Sequence, residues 1–205
     1  MLKIYGQPKS RAFRVLWLAK EAAIPYEHIP VGITADNPQC KEPWYIALNF
    51  NARVPTIDDG GFVMWESAAI NLYLAEKYKS ALLPTTPQGR GRMLQWAFYT
   101  ANDVEPPLIT MFQHRVLFPA EKRDAAVADA AEAQLVGKLK LLNEHLAKNA
   151  YFGGDKWDMA DFMVASVLYT LTAIKYDLSK YPKLQAWLMA SIERPAAKEA
   201  RKLRE

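Results

Sequence analysis

A chain of 205 residues is long enough to bury one large core or two small ones, and its 51% hydrophobic and 23% charged content is that of an ordinary soluble globular protein. The net charge of +4 is spread along the sequence; its one dense basic run, residues 198–204, is interrupted by Glu199 and lacks aromatic residues for base stacking, so no nucleic-acid partner is expected. The single cysteine, Cys40, excludes an internal disulfide and a dithiol redox centre, and no apolar stretch reaches membrane-spanning length. Residues 1–6 run directly into a strand pattern without the features of a secretory leader, so the expectation is a cytoplasmic protein with no membrane partner.

Residues 2–5 read as a first strand. The loop Gly6-Gln7-Pro8-Lys9 leads to Ser10, a good N-cap for an amphipathic helix ending at Ile24-Pro25. A second strand is expected over 26–31. Prolines punctuate residues 32–51, which are predicted to be loop with a short helix over 44–48, a segment able to move or to line a pocket. Pro55 lacks an amide hydrogen and is tolerated at a strand entrance, so Val54-Pro55 leads into Thr56-Ile57-Asp58. Asp59-Gly60-Gly61 supplies a tight turn, residues 62–65 a short β-prone run, and Glu66-Ser67 the start of a helix over 68–78. The order βαβ then ββα specifies a four-stranded mixed sheet with helices on its faces.

Residues 79–89 contain Pro84 and Pro87 and no strand signal, which places a linker between a domain over 1–79 and a second over 88–205. Everything beyond the linker reads as helix. Pro106-Pro107 is expected to bend or divide the first long helix, and an alanine-rich helix covers 120–146. Asp158 and Asp161 have capping-box spacing at the head of an apolar, buried segment over 162–174. A final helix over 181–192 precedes a charged tail that reads as a solvated helix end.

Two chemical features converge on residues 54–67. A cis Val54-Pro55 bond would turn the backbone N–H and C=O of Val54 away from the sheet, ready to pair with an extended peptide. The unpaired amides at the helix start, beside the Ser67 hydroxyl, suit a carboxylate, and Glu66 suits an ammonium. Together they describe a pocket for a small zwitterionic peptide. Each residue also has a plainer role available, Ser67 as a cap and Glu66 as an acid favourable at a helix start. His28, His114 and His145 are scattered without metal-ligand spacing, so no metal is expected, and Cys40 reads as an incidental thiol.

The segment Asn49-Phe50-Asn51-Ala52-Arg53-Val54-Pro55 is similar to the Asn-Pro-x-Gly-Lys-Val-Pro of the cytosolic glutathione transferases. Glu66-Ser67-Ala68-Ala69-Ile70 with Tyr73-Leu74 resembles the same family, and the serine-bearing helix start at residues 10–17 resembles that of its bacterial and fungal members. The likeness covers nearly the whole chain; it departs at Phe50, where a proline is usual, and at Asp158, where a serine or threonine is usual.

This resemblance implies a thioredoxin-like, glutathione-binding first domain, an all-helical bundle as second domain forming the acceptor-substrate site, glutathione as co-substrate and a homodimer. Val54 would pair through its backbone with the cysteinyl part of glutathione, Pro55 would be the cis proline, Glu66 and Ser67 would hold the γ-glutamyl end, and Arg53 would stand near the glycyl end. Ser10 would stabilise the thiolate as a hydrogen-bond donor, with Gln7, Lys9 or backbone amides of the same loop as alternatives. The implied activity is attack of the glutathione thiol on small electrophiles in detoxification. Other glutathione chemistry, such as dehalogenation, isomerisation or peroxide reduction, and a non-catalytic carrier or assembly module, are the alternatives. Trp96, Tyr99, Asn102, Asp103 and Phe112 lie on the helix expected to face the acceptor, although an aromatic stripe at helical spacing is commonly core.

Overall fold

Leu2 and Ile4 are fully buried, and the strand they define, β1 (Leu2–Tyr5), lies inside a four-stranded sheet. Strand β2 (Tyr26–Ile29) pairs parallel to one side of it and β3 (Thr56–Asp59) antiparallel to the other, while β4 (Phe62–Trp65) runs antiparallel to β3. The computed structural model describes residues 1–34 and 36–204. The mixed sheet expected from sequence is present, with order β2-β1-β3-β4. Strand β2 stops at Ile29 because Pro30 has no donor for the ladder.

Helix α1 (Ala12–Glu21) buries Phe13, Val15, Leu16, Trp17 and Leu18, and this near-continuous apolar content reflects packing against β1, α3 (Ser67–Lys77) and α10 (Pro195–Lys202) at once. Its start differs from the sequence expectation. Ser10 stands two residues before the helix, and its oxygen accepts the Ala12 amide at 3.1 Å, while Arg11 directly precedes the helix. The short helix expected over 44–48 is present as α2 (Pro43–Leu48), one residue longer because Pro43 occupies its first position. Asp59, at the end of β3, accepts the Tyr73 hydroxyl at 2.9 Å and pairs with Lys77, which ties the β3–β4 hairpin to α3.

The chain divides into two units, one comprising Met1–Ala81 with the tail from Arg194 onward, the other Leu82–Glu193. The tail is not a solvated helix end. Ala197 and Ala200 of α10 are buried, Arg194 makes two 2.8 Å hydrogen bonds to the Glu21 carboxylate, and the Arg204 guanidinium lies 4.9 Å from the centre of the Phe13 ring. A charge-rich sequence conceals this because only two alanines face inward.

In the helical unit, α4 (Pro87–Tyr99) passes into α5 (Glu105–Phe112) through a π-helical turn, Thr100–Val104. Pro106 and Pro107 deprive the preceding turn of two donors, and the wider turn absorbs the loss without breaking the helix. Helix α6 (Ala125–Lys148) starts later than expected, where Asp124 accepts the Val127 amide at 3.2 Å. The buried segment is divided into α7 (Met159–Leu168) and α8 (Thr170–Ala173) at Tyr169, and α9 (Pro182–Ile192) comes next.

The capping box opening α7 is present, and Asp161 does more than close it. Completely buried, it accepts the amides of Phe152 at 3.0 Å and Gly153 at 3.1 Å and the indole N–H of Trp187 at 2.8 Å. Loss of solvation pushes its carboxyl up from the ordinary 3.8 to about 6, with these donors limiting the rise. The folded protein therefore keeps this proton at a pH where the unfolded chain has lost it. The resulting contribution to stability is complete below about pH 4 and is lost as pH rises through about 6, roughly 3 kcal/mol for a rise of that size. Urea unfolding of the wild type and Asp161→Asn across this range should show the wild type losing stability relative to the variant; a constant offset at every pH would exclude the effect.

Candidate functional site

The sheet register places several chain segments at one end. Tyr5, the last residue of β1, pairs with Ile29 of β2 on one side and Thr56 of β3 on the other, and Thr56 in turn pairs with Trp65, the last residue of β4. The residues just after Tyr5, just before Thr56 and just after Trp65 are therefore neighbours at strand spacing, about 4.8 Å between adjacent strands. These segments are the Gly6–Ser10 loop, the Arg53-Val54-Pro55 entry and the Glu66-Ser67 start of α3.

Gly6 sets how closely the first two approach. Its φ of +136° is rarely adopted by L side chains, and a Cβ there would lie 2.8 Å from that of Ala12 and 3.0 Å from that of Val54. Beyond it, the amide and the hydroxyl of Ser10 both donate to the Gln7 carbonyl, at 3.0 and 2.6 Å. The Ser10 hydroxyl thus has its hydrogen on a carbonyl and its lone pair on the Ala12 amide.

A buried polar cycle holds the entry to β3. The Tyr45 hydroxyl donates to the Arg53 carbonyl at 2.7 Å and lies 2.7 Å from the Thr56 hydroxyl; the Asn49 amide nitrogen donates to both the same carbonyl, at 2.8 Å, and the Thr56 oxygen, at 3.0 Å. The Asn49 side-chain oxygen is itself occupied by the Asn51 amide at 3.0 Å. Burial raises the pKa of the Tyr45 phenol, which keeps it a donor at neutral pH. The Val54-Pro55 bond is cis. Among the described residues, neither backbone polar group of Val54 has a hydrogen-bond partner.

Glu66 alone joins β4 to α3, at φ 75° and ψ 108°, and its exposed carboxylate meets no partner among the described residues. The first intrahelical bond runs from the Ile70 amide to the Glu66 carbonyl, which leaves the amides of residues 67–69 unpaired. Ser67 is buried, and its hydroxyl has no described partner either. The Arg53 guanidinium is exposed. The arrangement can therefore offer a peptide one backbone N–H and C=O, an anion a helix start with a hydroxyl, and a cation one carboxylate.

Tyr45, Asn49 and Thr56 were missed by sequence reasoning, since a buried polar cycle leaves no periodic signal. Cys40 packs with Tyr5, Val31 and Tyr45 beside Val54, and Lys41, next to it in the chain, is exposed. Of the residues considered as acceptor walls, Trp96 is core: its ring packs edge-on against His145 and Phe152, both at 4.7 Å between centres. Asn102 and Asp103 are exposed, and Tyr99 and Phe112 are half-buried. Among the described residues, no group of three or more His, Cys, Asp or Glu side chains is placed to hold a metal ion.

Residues 1–76 match the model of the glutathione S-transferase N-terminal domain and residues 106–195 that of the C-terminal domain. Glutathione S-transferase 3 of Zea mays is 34% identical, over 95% of this chain and 90% of that protein. The chain belongs to the glutathione S-transferase family. Glutathione S-transferase GstB of Escherichia coli K12 is 29% identical, over 97% of both chains. The theta-class glutathione S-transferase of Xanthomonas axonopodis pv. citri, solved with glutathione bound, shares 34% identity and superimposes with a TM-score of 0.90, over 97% of this chain and 96% of that one.

In this glutathione S-transferase, Asn49→Ala should cost about 3 kcal/mol, because three bonds are lost, two buried acceptors lose one donor each and the Asn51 amide loses its acceptor. Denaturant midpoints of the wild type and variant measure this; a loss under about 1 kcal/mol would mean that the cycle does not hold the β3 entry.

Proposed function

We propose that the protein is a cytoplasmic glutathione transferase that binds glutathione at the end of the sheet defined by Tyr5, Thr56 and Trp65 and directs its thiol at small electrophilic substrates in detoxification. The observation carrying this reading is the convergence there of an unpaired Val54 backbone, an uncapped α3 start and an unpaired Ser67 hydroxyl. In this reading the cysteinyl backbone pairs with Val54, ahead of the cis Pro55. The γ-glutamyl carboxylate takes the α3 amides and the Ser67 hydroxyl, its ammonium takes Glu66, and the glycyl carboxylate lies near Arg53. The first domain, 1–79, holds glutathione, and the helical domain beyond the linker supplies the acceptor site.

Ser10 is assigned the thiolate. Glutathione is a weak nucleophile while protonated, and a hydroxyl donor favours the anion. A hydroxyl has one hydrogen, so donation to sulfur requires the Ser10 rotor to turn from the Gln7 carbonyl or share with it. The thiolate sulfur then forms a bond to the electrophilic carbon as the leaving group departs with its electron pair.

Calorimetric titration should show glutathione binding at millimolar concentration or tighter; no binding would overturn the assignment. Ser67→Ala should weaken binding about ten-fold or more, since a hydrogen bond to a charged group is worth roughly 1.5–3 kcal/mol. Ser10→Ala should leave affinity nearly unchanged and raise the pKa of the bound thiol, read from thiolate absorbance. A panel of aryl halides, haloalkanes and hydroperoxides separates transfer from dehalogenation and peroxide reduction.

We also propose a homodimer. Phe50 is 79% exposed and stands edge-on to Trp65, 5.6 Å between ring centres, an arrangement that leaves a large apolar surface in water. Sedimentation should give a dimer at micromolar concentration, with Phe50→Glu shifting it toward monomer; a monomeric wild type would refute this.

A further inference from the structure

His28 lies on β2, opposite Ile4 of β1, and belongs to none of the proposed glutathione contacts. Its Nε2 is 2.8 Å from the carbonyl oxygen of Gly6. A carbonyl only accepts, so Nε2 carries the hydrogen, and the imidazole acts as donor. The Gly6 amide is also held by β2, donating to the Ile29 carbonyl at 2.9 Å. Both backbone polar groups of Gly6 are thus fixed from one strand, while Ala12 and Val54 close around its α-carbon.

The constraint on Gly6 carries forward along the chain. Its carbonyl belongs to the same rigid peptide plane as the Gln7 amide, so fixing it fixes the direction in which the loop departs. The Gln7 carbonyl then receives both the amide and the hydroxyl of Ser10. Contact passes from the His28 ring to the Gly6 carbonyl, to Gln7 and to Ser10, without His28 reaching the ligand. Neighbouring strand residues offer no substitute for this donor, since the Ile29 backbone supplies only a carbonyl to Gly6.

We propose that His28 is a positioning residue for catalysis: its Nε2–H holds the Gly6 carbonyl and thereby orients the Gly6–Ser10 loop toward the sulfur of bound glutathione. This rests on the reading that the loop stabilises the thiolate.

The test compares wild type, Ser10→Ala, His28→Leu, His28→Gln and the Ser10→Ala/His28→Leu double variant. Each is measured for glutathione affinity, pH titration of the bound thiol by absorbance, and turnover near neutral pH. His28→Leu should lower turnover roughly three- to ten-fold, the effect of one lost hydrogen bond, and move the thiol titration upward with affinity changed less than about two-fold. His28→Gln, which retains a side-chain N–H donor, should restore most of both. In the Ser10→Ala background, His28→Leu should add little, because the two act through one loop. If His28→Leu fails to fold, His28→Ser, too short to reach the carbonyl, is read in its place. A wild-type titration in His28→Leu, with Ser10→Ala shifted, overturns the proposal and leaves the Ser10 reading standing. An unshifted Ser10→Ala with a shifted, Gln-rescued His28→Leu rejects Ser10 and supports His28 acting through the loop's other groups. Loss of affinity in His28→Leu matching its loss of turnover overturns the proposal in favour of a general structural role.

Discussion

The carbonyl of Arg53 is the point on which the candidate site depends. It faces inward to two donors, the Tyr45 hydroxyl and the Asn49 amide, and both donors also meet the Thr56 hydroxyl. Buried polar groups cost free energy unless satisfied, and every donor and acceptor of this cycle has a partner. Once Arg53 and Thr56 are fixed on either side, Val54 and Pro55 have little freedom. Helix α2, which supplies Tyr45 and leads to Asn49, is thereby a support for the strand entry. A ligand meets a backbone already held in place, so little ordering entropy opposes binding.

At the neighbouring strand end a single residue separates strand from helix. Trp65 closes β4, Ser67 opens α3, and Glu66 between them adopts a positive φ that is unfavourable for a bulky side chain, at a cost of about 1–3 kcal/mol. Pairing of β4 with β3 and burial of Ile70 and Leu74 in α3 fix both ends and so impose the conformation. The abrupt turn leaves no residue available to cap α3, and its first amides remain unpaired. An unfavourable conformation and an unsatisfied helix start thus share one cause, and an anion at that position would relieve the second.

The helical unit obeys a different logic, in which polar groups serve packing. Asp161 collects the amides of the 152–153 loop and the indole of Trp187, and around it Phe152 stacks on His145 and meets Trp96 and Trp187 edge-on. Desolvation holds the His145 pKa down, consistent with a neutral ring in an aromatic core. The π-helical turn before Pro106 shows how a helix tolerates two adjacent prolines when its neighbours retain it.

The sequence by itself determined the strand and helix order, the mixed sheet, the hairpin at Gly60-Gly61, the capping box and the clustering of Val54, Glu66 and Ser67, because each of these is set by residues close together in the chain. Local chemistry also identified Ser10 as a capping serine, although the helix begins one position later than expected, after Arg11. Tertiary structure decided the rest. Tyr45, Asn49 and Thr56 form a cycle only when α2 is folded against β3, and His28 meets Gly6 only because β2 pairs with β1. The alanines of a charged tail became a buried face because α1 offers them a surface, and Glu66 took a conformation its side chain would not choose. Periodicity and propensity record which face of an element is apolar, but a hydrogen bond between distant residues depends on strand register and helix placement, which no local pattern encodes.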